Sequence, residues 1–254
     1  MLTFDQTQSF DRDGFVLLPD VFSPREVEIL LAATEKDGRV TESAWDVQDN
    51  TGRSSKLAFW ADVRADIFGA VTTSPRIVNN ARMLLREDIY HWHSKVSIKQ
   101  PRTGGAWEWH QDYGYWYGDS CLYPRLISCM IALDPCTKQN GCLKVIVGSH
   151  LLGRFDHNKV KNQNGADPAR VEEAMKRLPV HYCEAPAGSV LFFHCNTFHS
   201  SEANNSDIPR RAYICCYNAL SNVPYDETKG HGKAVPISVS PDDSILSYAE
   251  QPVA

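Results

Sequence analysis

IYHWHSKVSIKQPRTGGAWEWHQD, Ile89–Asp112, is the stretch on which the fold turns. Its two runs, HWHSKVSIK (91–99) and AWEWHQD (106–112), are rich in aromatic and β-branched residues and are parted by a Pro/Gly turn signal. That composition suits a pleated, half-buried surface. The same texture recurs downstream in LISCMIALD (126–134), CLKVIVG (142–148), VHYCEA (180–185), SVLFFH (189–194) and RAYICCYNAL (211–220). Short strands broken repeatedly by turns predict an antiparallel sandwich or barrel, with its core at about residues 89–220. One interruption, residues 151–178, carries Asp167-Pro168 ahead of ARVEEAMKRL and predicts a capped helix inserted between strands.

Upstream, the first third, about 1–88, reads as helical. Ser23-Pro24 is an N-cap and first-turn pair, Glu26 and Glu28 suit the positive end of the helix dipole, and Val27, Leu30 and Leu31 form an apolar stripe that ends before Gly38. A second Ser-Pro pair predicts a helix from about Ser74 to Arg86. No repeat, low-complexity tract or linker divides the chain, so 1–254 is expected to form a single domain. The tail after Val223 is polar and carries no structural signal.

Composition narrows the function. With 254 residues, 43% hydrophobic and 22% charged, the chain is an ordinary globular protein. A net charge of -5 without any block of like charges leaves no electrostatic footprint for nucleic acid or anionic membrane. No run approaches the roughly 18 apolar residues that span a bilayer, and MLTFDQTQSF lacks the pattern of a signal peptide. The eight cysteines include no CxxC pair and sit mostly in apolar runs, which fits a reducing cytoplasm.

Chemistry enters with His110-Gln111-Asp112. In a strand, side chains at i and i+2 share a face, so an imidazole and a carboxylate two apart can hold one metal ion. Alone this is weak, because such a triplet is common and more often marks a surface strand end. His199, just after the buried run VLFFH, is the candidate third ligand. Two histidines and one carboxylate leave three positions open on iron(II), enough for a bidentate 2-oxo acid and O2. Eleven residues further on, Arg210 starts the run RRAYICCYN, where its guanidinium can pair bidentately with the distal carboxylate of 2-oxoglutarate. His194 lacks that spacing and reads as a core residue. His150 reads as a loop residue, and His91, His157, His181 and His231 as structural or exposed.

Taken together these motifs resemble the phytanoyl-CoA dioxygenase family of Fe(II)/2-oxoglutarate-dependent oxygenases, over about residues 10 to 220. Trp109-His110-Gln111-Asp112 resembles its first two ligands, NGCLKVIVGSH (140–150) its NG-x-L-x-V-x-PGSH signature, and His199 with Arg210 its distal histidine and arginine. The resemblance implies a mainly β fold, a double-stranded β-helix or jelly roll with flanking N-terminal α-helices. It also implies Fe(II), 2-oxoglutarate and O2 as cofactor and co-substrates, with Ser201 matching a serine that holds the co-substrate carboxylate; Ser97 is placed to reach the same co-substrate from the opposite strand. Within the family the chain looks most like the ectoine hydroxylase-like branch. Trp116 falls on a substrate-contacting tryptophan, His93 and Ser97 replace a glutamine and an asparagine, and Ile214 replaces a pocket phenylalanine, differences that point away from ectoine itself. The retained Asp112 favours hydroxylation, desaturation or demethylation over halogenation.

The expected substrate is a small polar, amino-acid-like or zwitterionic metabolite, hydroxylated or oxidatively demethylated or dealkylated. The aromatic stretch YGYWYGDSCLYPR (113–125) offers rings that can hold a cation. Two rivals stand beside this reading. One is an acyl-CoA hydroxylase of the phytanoyl-CoA type, for which Arg102 and Lys99 would serve the phosphates. The other is a cupin-like metal-binding protein without oxygenase chemistry, or a silent member of the same family. The chain is expected to act as a cytoplasmic monomer or homodimer.

Overall fold

Both Ser-Pro pairs open helices for the reason their chemistry gives. In the computed structural model, which describes residues 1–160, 162–226 and 228–249, the helices of the N-terminal third are α1 (Phe4–Asp13), α2 (Pro24–Lys36), α3 (Gly38–Thr41), α4 (Ile67–Thr72) and α5 (Pro75–Leu85). Ser23 caps α2 in a reciprocal box with Glu26, and Ser74 caps α5. Later come α6 (Asp112–Trp116), α7 (Pro168–Met175), which is capped by Asp167, and α8 (Ser244–Ala249). The single-domain expectation for 1–254 runs past residue 249, and residues 250–254 lie outside the described residues.

Thirteen strands fill the rest of the described chain: β1 (Phe15–Leu18), β2 (Trp45–Gln48), β3 (Ser54–Trp60), β4 (Ile89–Lys99), β5 (Trp107–His110), β6 (Leu126–Ala132), β7 (Leu143–Ile146), β8 (His157–Val160), β9 (Gln163–Ala166), β10 (Val180–Tyr182), β11 (Val190–His194), β12 (His199–Ser201) and β13 (Arg210–Ala219). A seven-stranded sheet runs β1-β11-β6-β13-β4-β3-β2, a four-stranded sheet runs β10-β7-β12-β5, and β8 with β9 forms a two-stranded sheet. The strand pairs are antiparallel. This is the double-stranded β-helix, with helices on the outer face of the larger sheet.

Strand alternation divides the two faces of that sheet. Along β13, Tyr213, Cys215 and Tyr217 join Leu30, Phe68 and Ile77 in the main core, while Ala212, Ile214 and Cys216 turn to the interior of the barrel. Ile77 is fully buried, and its truncation to alanine would cost about 2–5 kcal/mol.

The first third is less helical than its sequence suggests. β1, β2 and β3 come from it and extend both edges of the large sheet. β1 and β2 are only four residues long, and the edges of β11 and β4 hold β1 and β3 by backbone pairing that no local pattern reveals. The tail also differs from its polar reading. Ile237 and Ile245 are buried, and the Ile237 amide donates to the Ile89 carbonyl at 3.0 Å.

A buried polar network fastens α4 to the sheet. The Tyr213 hydroxyl meets Thr72 Oγ1 at 2.6 Å and Ser94 Oγ at 2.9 Å, and Ser94 meets His91 Nε2 at 2.8 Å. Burial pushes the His91 imidazole down to about 4. Below the ordinary histidine value of about 6.5, the unfolded chain takes up a proton that this ring refuses until about pH 4, so stability falls with pH across that window. His91→Gln should therefore lose about 2 kcal/mol less between pH 7 and pH 4.5 than the parent chain in urea unfolding. Equal losses would show that His91 is not the group responsible.

Candidate metal and co-substrate site

β5 delivers His110 as its last residue. Gln111 continues in extended backbone, φ −117° and ψ 134°, and its side-chain amide turns away to donate to the carbonyls of Gly153 and Asn196. Asp112 thereby returns to the side of His110. It does so as the opening residue of α6 rather than as a strand residue, a correction to the sequence reading that leaves the i, i+2 relation intact. β12 lies between β5 and β7 and sets His199 directly opposite His110.

The three side chains converge. The imidazole centroids of His110 and His199 lie 4.1 Å apart, and His199 Nε2 is 3.8 Å from Asp112 Oδ1. One ligand atom from each residue lies within 4.8 Å of the other two, and no other such group exists among the described residues. Each imidazole donates Nδ1–H to a carbonyl two residues upstream, His110 to Glu108 at 2.7 Å and His199 to Thr197 at 3.0 Å. That choice of tautomer leaves both Nε2 lone pairs free for a metal.

Electrostatics agree with the geometry. Burial depresses both imidazoles, His110 well below its ordinary value, so they stay neutral. Burial alone would raise the Asp112 carboxyl. Lys95, whose Nζ lies 3.8 Å away, then the two imidazoles and the Ser128 hydroxyl outweigh it and hold the carboxyl well below the usual range. Two neutral nitrogens and one ionised carboxylate are the donor set that suits a ferrous ion with open positions.

A cavity of about 570 Å³ surrounds the triad. Register orders its wall: along β4 and β13, Arg210 stands opposite Lys99, Ala212 opposite Ser97, Ile214 opposite Lys95 and Cys216 opposite His93. One end thus carries Arg210, Ser97 and Ser201, the middle Lys95 and Ile214 beside the triad, and the other end His93 and Trp116. All nine residues singled out from the sequence line this one cavity.

Arg210 is the most telling of them. It is 3% exposed, and among the described residues its side chain makes no hydrogen bond or ion pair, with Nε buried and unpartnered. A buried cation without a counter-charge is unfavourable by several kcal/mol and persists where an anion is to be bound.

Lys95 escaped the sequence reading although its neighbours did not. Alternation along HWHSKVSIK puts His93, Lys95 and Ser97 on one face, so naming the flanks implied the middle. His231 and Asp119 were missed too, and both line the cavity. Of the remaining histidines, His150 lies in a 3-10 helix, Ser149–Leu152, rather than a loop, and the others keep their structural readings. His194 accepts from the Asn196 amide and packs on His150, and His157 accepts from the Gln111 amide at 3.0 Å. Of the aromatic stretch, Tyr115 and Trp116 face the cavity, Tyr113 is buried with its hydroxyl on the Cys121 carbonyl, and Tyr117 lies under Arg154. Arg102 is bound bidentately by Asp207, and Lys99 is buried against the Glu202 carbonyl, so neither offers a free phosphate contact.

Known proteins share this arrangement of sequence and fold. The family described as Phytanoyl-CoA dioxygenase (PhyH) matches residues 10–212. The ectoine dioxygenase of Bordetella bronchiseptica is 32% identical over 236 residues, covering 87% of this chain and 77% of that protein. The L-proline trans-4-hydroxylase of Streptomyces griseoviridis is 28% identical over 257 residues, covering 94% and 93%. Among solved structures, EctD from S. alaskensis with bound Fe superposes with a TM-score of 0.78 at 25% identity, covering 94% of this chain and 87% of that one. The same enzyme with 2-oxoglutarate and 5-hydroxyectoine gives 0.75 at the same identity and coverage.

An unpaired buried cation has a measurable signature. Arg210→Met should raise the thermal midpoint of the ligand-free protein by about 2–4 °C, equivalent to about 1 kcal/mol. A midpoint that falls would mean that Arg210 is a structural cation and not a ligand-binding one.

Proposed function

The chain belongs to the phytanoyl-CoA dioxygenase family, and from that premise we propose that it is an Fe(II)/2-oxoglutarate-dependent dioxygenase that hydroxylates a small, amino-acid-like metabolite. In this reading His110, Asp112 and His199 hold the iron. Arg210 grips the distal carboxylate of 2-oxoglutarate, Ser97 and Ser201 add hydroxyls beside it, and Trp116, His93 and Ile214 border the substrate. The observation that carries the reading is the buried, unpartnered guanidinium of Arg210 in the same cavity as a two-His-one-Asp cluster. Such a pairing of parts suits an anionic co-substrate that also chelates metal.

When bound, iron(II) and 2-oxoglutarate supply the oxidising power, with O2 converting 2-oxoglutarate to succinate and carbon dioxide as the substrate is hydroxylated. The protein's own work is positioning. The carbonyls of Glu108 and Thr197 fix the two imidazole rings, and Ser128 fixes one oxygen of Asp112. Lys95 keeps a positive charge beside that carboxylate and in the cavity. The retained carboxylate keeps the third ligand position filled, which favours hydroxylation, or demethylation and dealkylation where the attacked carbon bears a heteroatom, over halogenation.

Related enzymes support the substrate class, since one acts on L-proline and others are ectoine dioxygenases. The acyl-CoA rival loses its phosphate contacts, because Arg102 is already paired and Lys99 buried. A cupin-like binder without oxygenase chemistry gives Arg210 no anion to meet. No described helix is long and apolar enough to cross a membrane. All eight cysteines are free and buried, which supports a cytoplasmic location. We read 1–254 as one domain acting as a monomer or homodimer.

The test is succinate release from 2-oxoglutarate in air with added iron(II). Asp112→Ala and His199→Ala should lower turnover at least about 100-fold through loss of the metal. Arg210→Met should raise the KM for 2-oxoglutarate at least about 30-fold, the effect of removing one partner of a buried charge pair. Turnover equal to the parent in all three would end the iron and 2-oxoglutarate assignment.

A further inference from the structure

The end of the cavity away from Arg210 holds a second set of charged and polar groups that the iron chemistry leaves unused. Strand rise separates the two ends: from Lys99, opposite Arg210, to His93 the chain advances six residues, about 20 Å. Co-substrate held at Arg210 and Ser97 therefore leaves the His93 end to the substrate. Two carboxylates line the cavity, Asp112 and Asp119, and Asp112 belongs to the metal cluster. Asp119 remains.

Its surroundings are built rather than incidental. Asp119 follows α6, anchored by its amide on the Trp116 carbonyl at 3.1 Å. Across from it His231, from the C-terminal tail, approaches with Nε2 3.4 Å from Asp119 Oδ2, the one contact of that carboxylate among the described residues. The His231 ring is wedged between Phe59, Trp92 and His93, with centroids 5.2, 5.2 and 5.5 Å away. Flanking glycines permit this approach: Gly232, at φ 69°, lies so close to the strand that a Cβ would stand 2.3 Å from the His91 carbonyl oxygen. His93 is 3% exposed, and its Nδ1 is buried without a partner. Burial keeps that imidazole neutral, so it adds a polar group to the wall without repelling a cation. Phe59 and Trp116 pack against His93 with ring centroids 4.8 and 5.5 Å away, and both line the cavity.

We propose that Asp119 receives a positively charged nitrogen of the substrate, an ammonium or amidinium, with His93, Trp116 and Phe59 as the walls of that subsite. This rests on the small-metabolite reading above and makes it more specific: the substrate carries a cationic nitrogen, and its attacked carbon lies on the side facing the metal cluster. The His231 contact is long, and an incoming cation replaces it. Aromatic rings and a single half-buried carboxylate are a combination suited to an organic cation. Lys95, in the middle of the cavity, would repel a cation there and drives it outward to Asp119.

The experiment uses the full chain with iron(II) and 2-oxoglutarate. Succinate release is measured over the twenty common amino acids, ectoine and palmitoyl-coenzyme A, with each primary or secondary amine also supplied as its N-acetyl derivative. Stimulation by a cationic compound is expected, with loss of at least about 50-fold on acetylation of an amine. In Asp119→Asn its KM should rise at least about tenfold while kcat changes less than about threefold, and Asp119→Glu should recover most of the loss. An acetylated amine used as well as its parent, a KM within about twofold in Asp119→Asn, or stimulation by no cationic compound would overturn the proposal. Failure of the parent reading is separately visible. Absence of a charge-transfer absorption when 2-oxoglutarate is added to the anaerobic iron(II) protein would count against the iron site, whatever Asp119 does.

Discussion

The pairing of β12 between β5 and β7 is the constraint on which the chemistry depends. A slip of one residue would turn His199 away from His110 and put Phe198 or Ser200 in its place. Several contacts forbid that slip. The Phe198 amide donates to Ser149 Oγ at 2.9 Å, its carbonyl accepts from Ile146, and its ring is fully buried 5.0 Å from Phe155. Thr197 Oγ1 donates to the carbonyl of Gly14, the C-cap of α1. Gly14 sits at φ 83°, where a Cβ would meet His150 and Thr197 at under 3 Å, so only glycine lets α1 lie this close. The run ending in Gly148-Ser149-His150 is thus a clamp on the register of His199.

Charge is distributed with equal economy. The imidazoles are kept neutral and the carboxylate ionised before any metal arrives, so binding requires no proton to leave. Lys95 partly balances Asp112 in the meantime. Among the described residues Arg210 has no such balance, and the fold carries that unfavourable term as a standing preference for an anion. Preorganisation of this kind places the cost in the folding of the protein rather than in the binding of an anion.

Where the sequence spoke clearly, a short-range rule stood behind it. His110 and Asp112 share a side because extended backbone alternates, and Ser23, Ser74 and Asp167 cap helices because their side chains reach amides two or three residues ahead. His199 and Arg210 were legible through their spacing, which the path from β12 into β13 imposes. What escaped depends on distant parts of the chain. β1 is a strand because β11 has an open edge beside it, and nothing in Phe15–Leu18 announces that neighbour. Asp119 and His231 meet only because the tail folds back over β4, a route with no local signature. Lys95 was hidden in plain view, since a lysine in a strand usually faces water.

The cavity is assembled from two sources of unlike standing in the fold. Its reactive portion is carried by β5, β12 and β13, which have neighbours on both sides or close the smaller sheet. Its outer wall, including Trp45, Val47, Leu57 and Phe59, is carried by β2 and β3 at the margin of the larger sheet, with the tail laid against them. Such peripheral pieces can be exchanged or reshaped while the hydrogen-bond ladder around the ligands stays whole. Part of the cavity's border can therefore be rewritten on a marginal strand and a terminal strap, while His93, Ile214, Trp116 and Asp119 stay tied to the elements that carry the metal cluster.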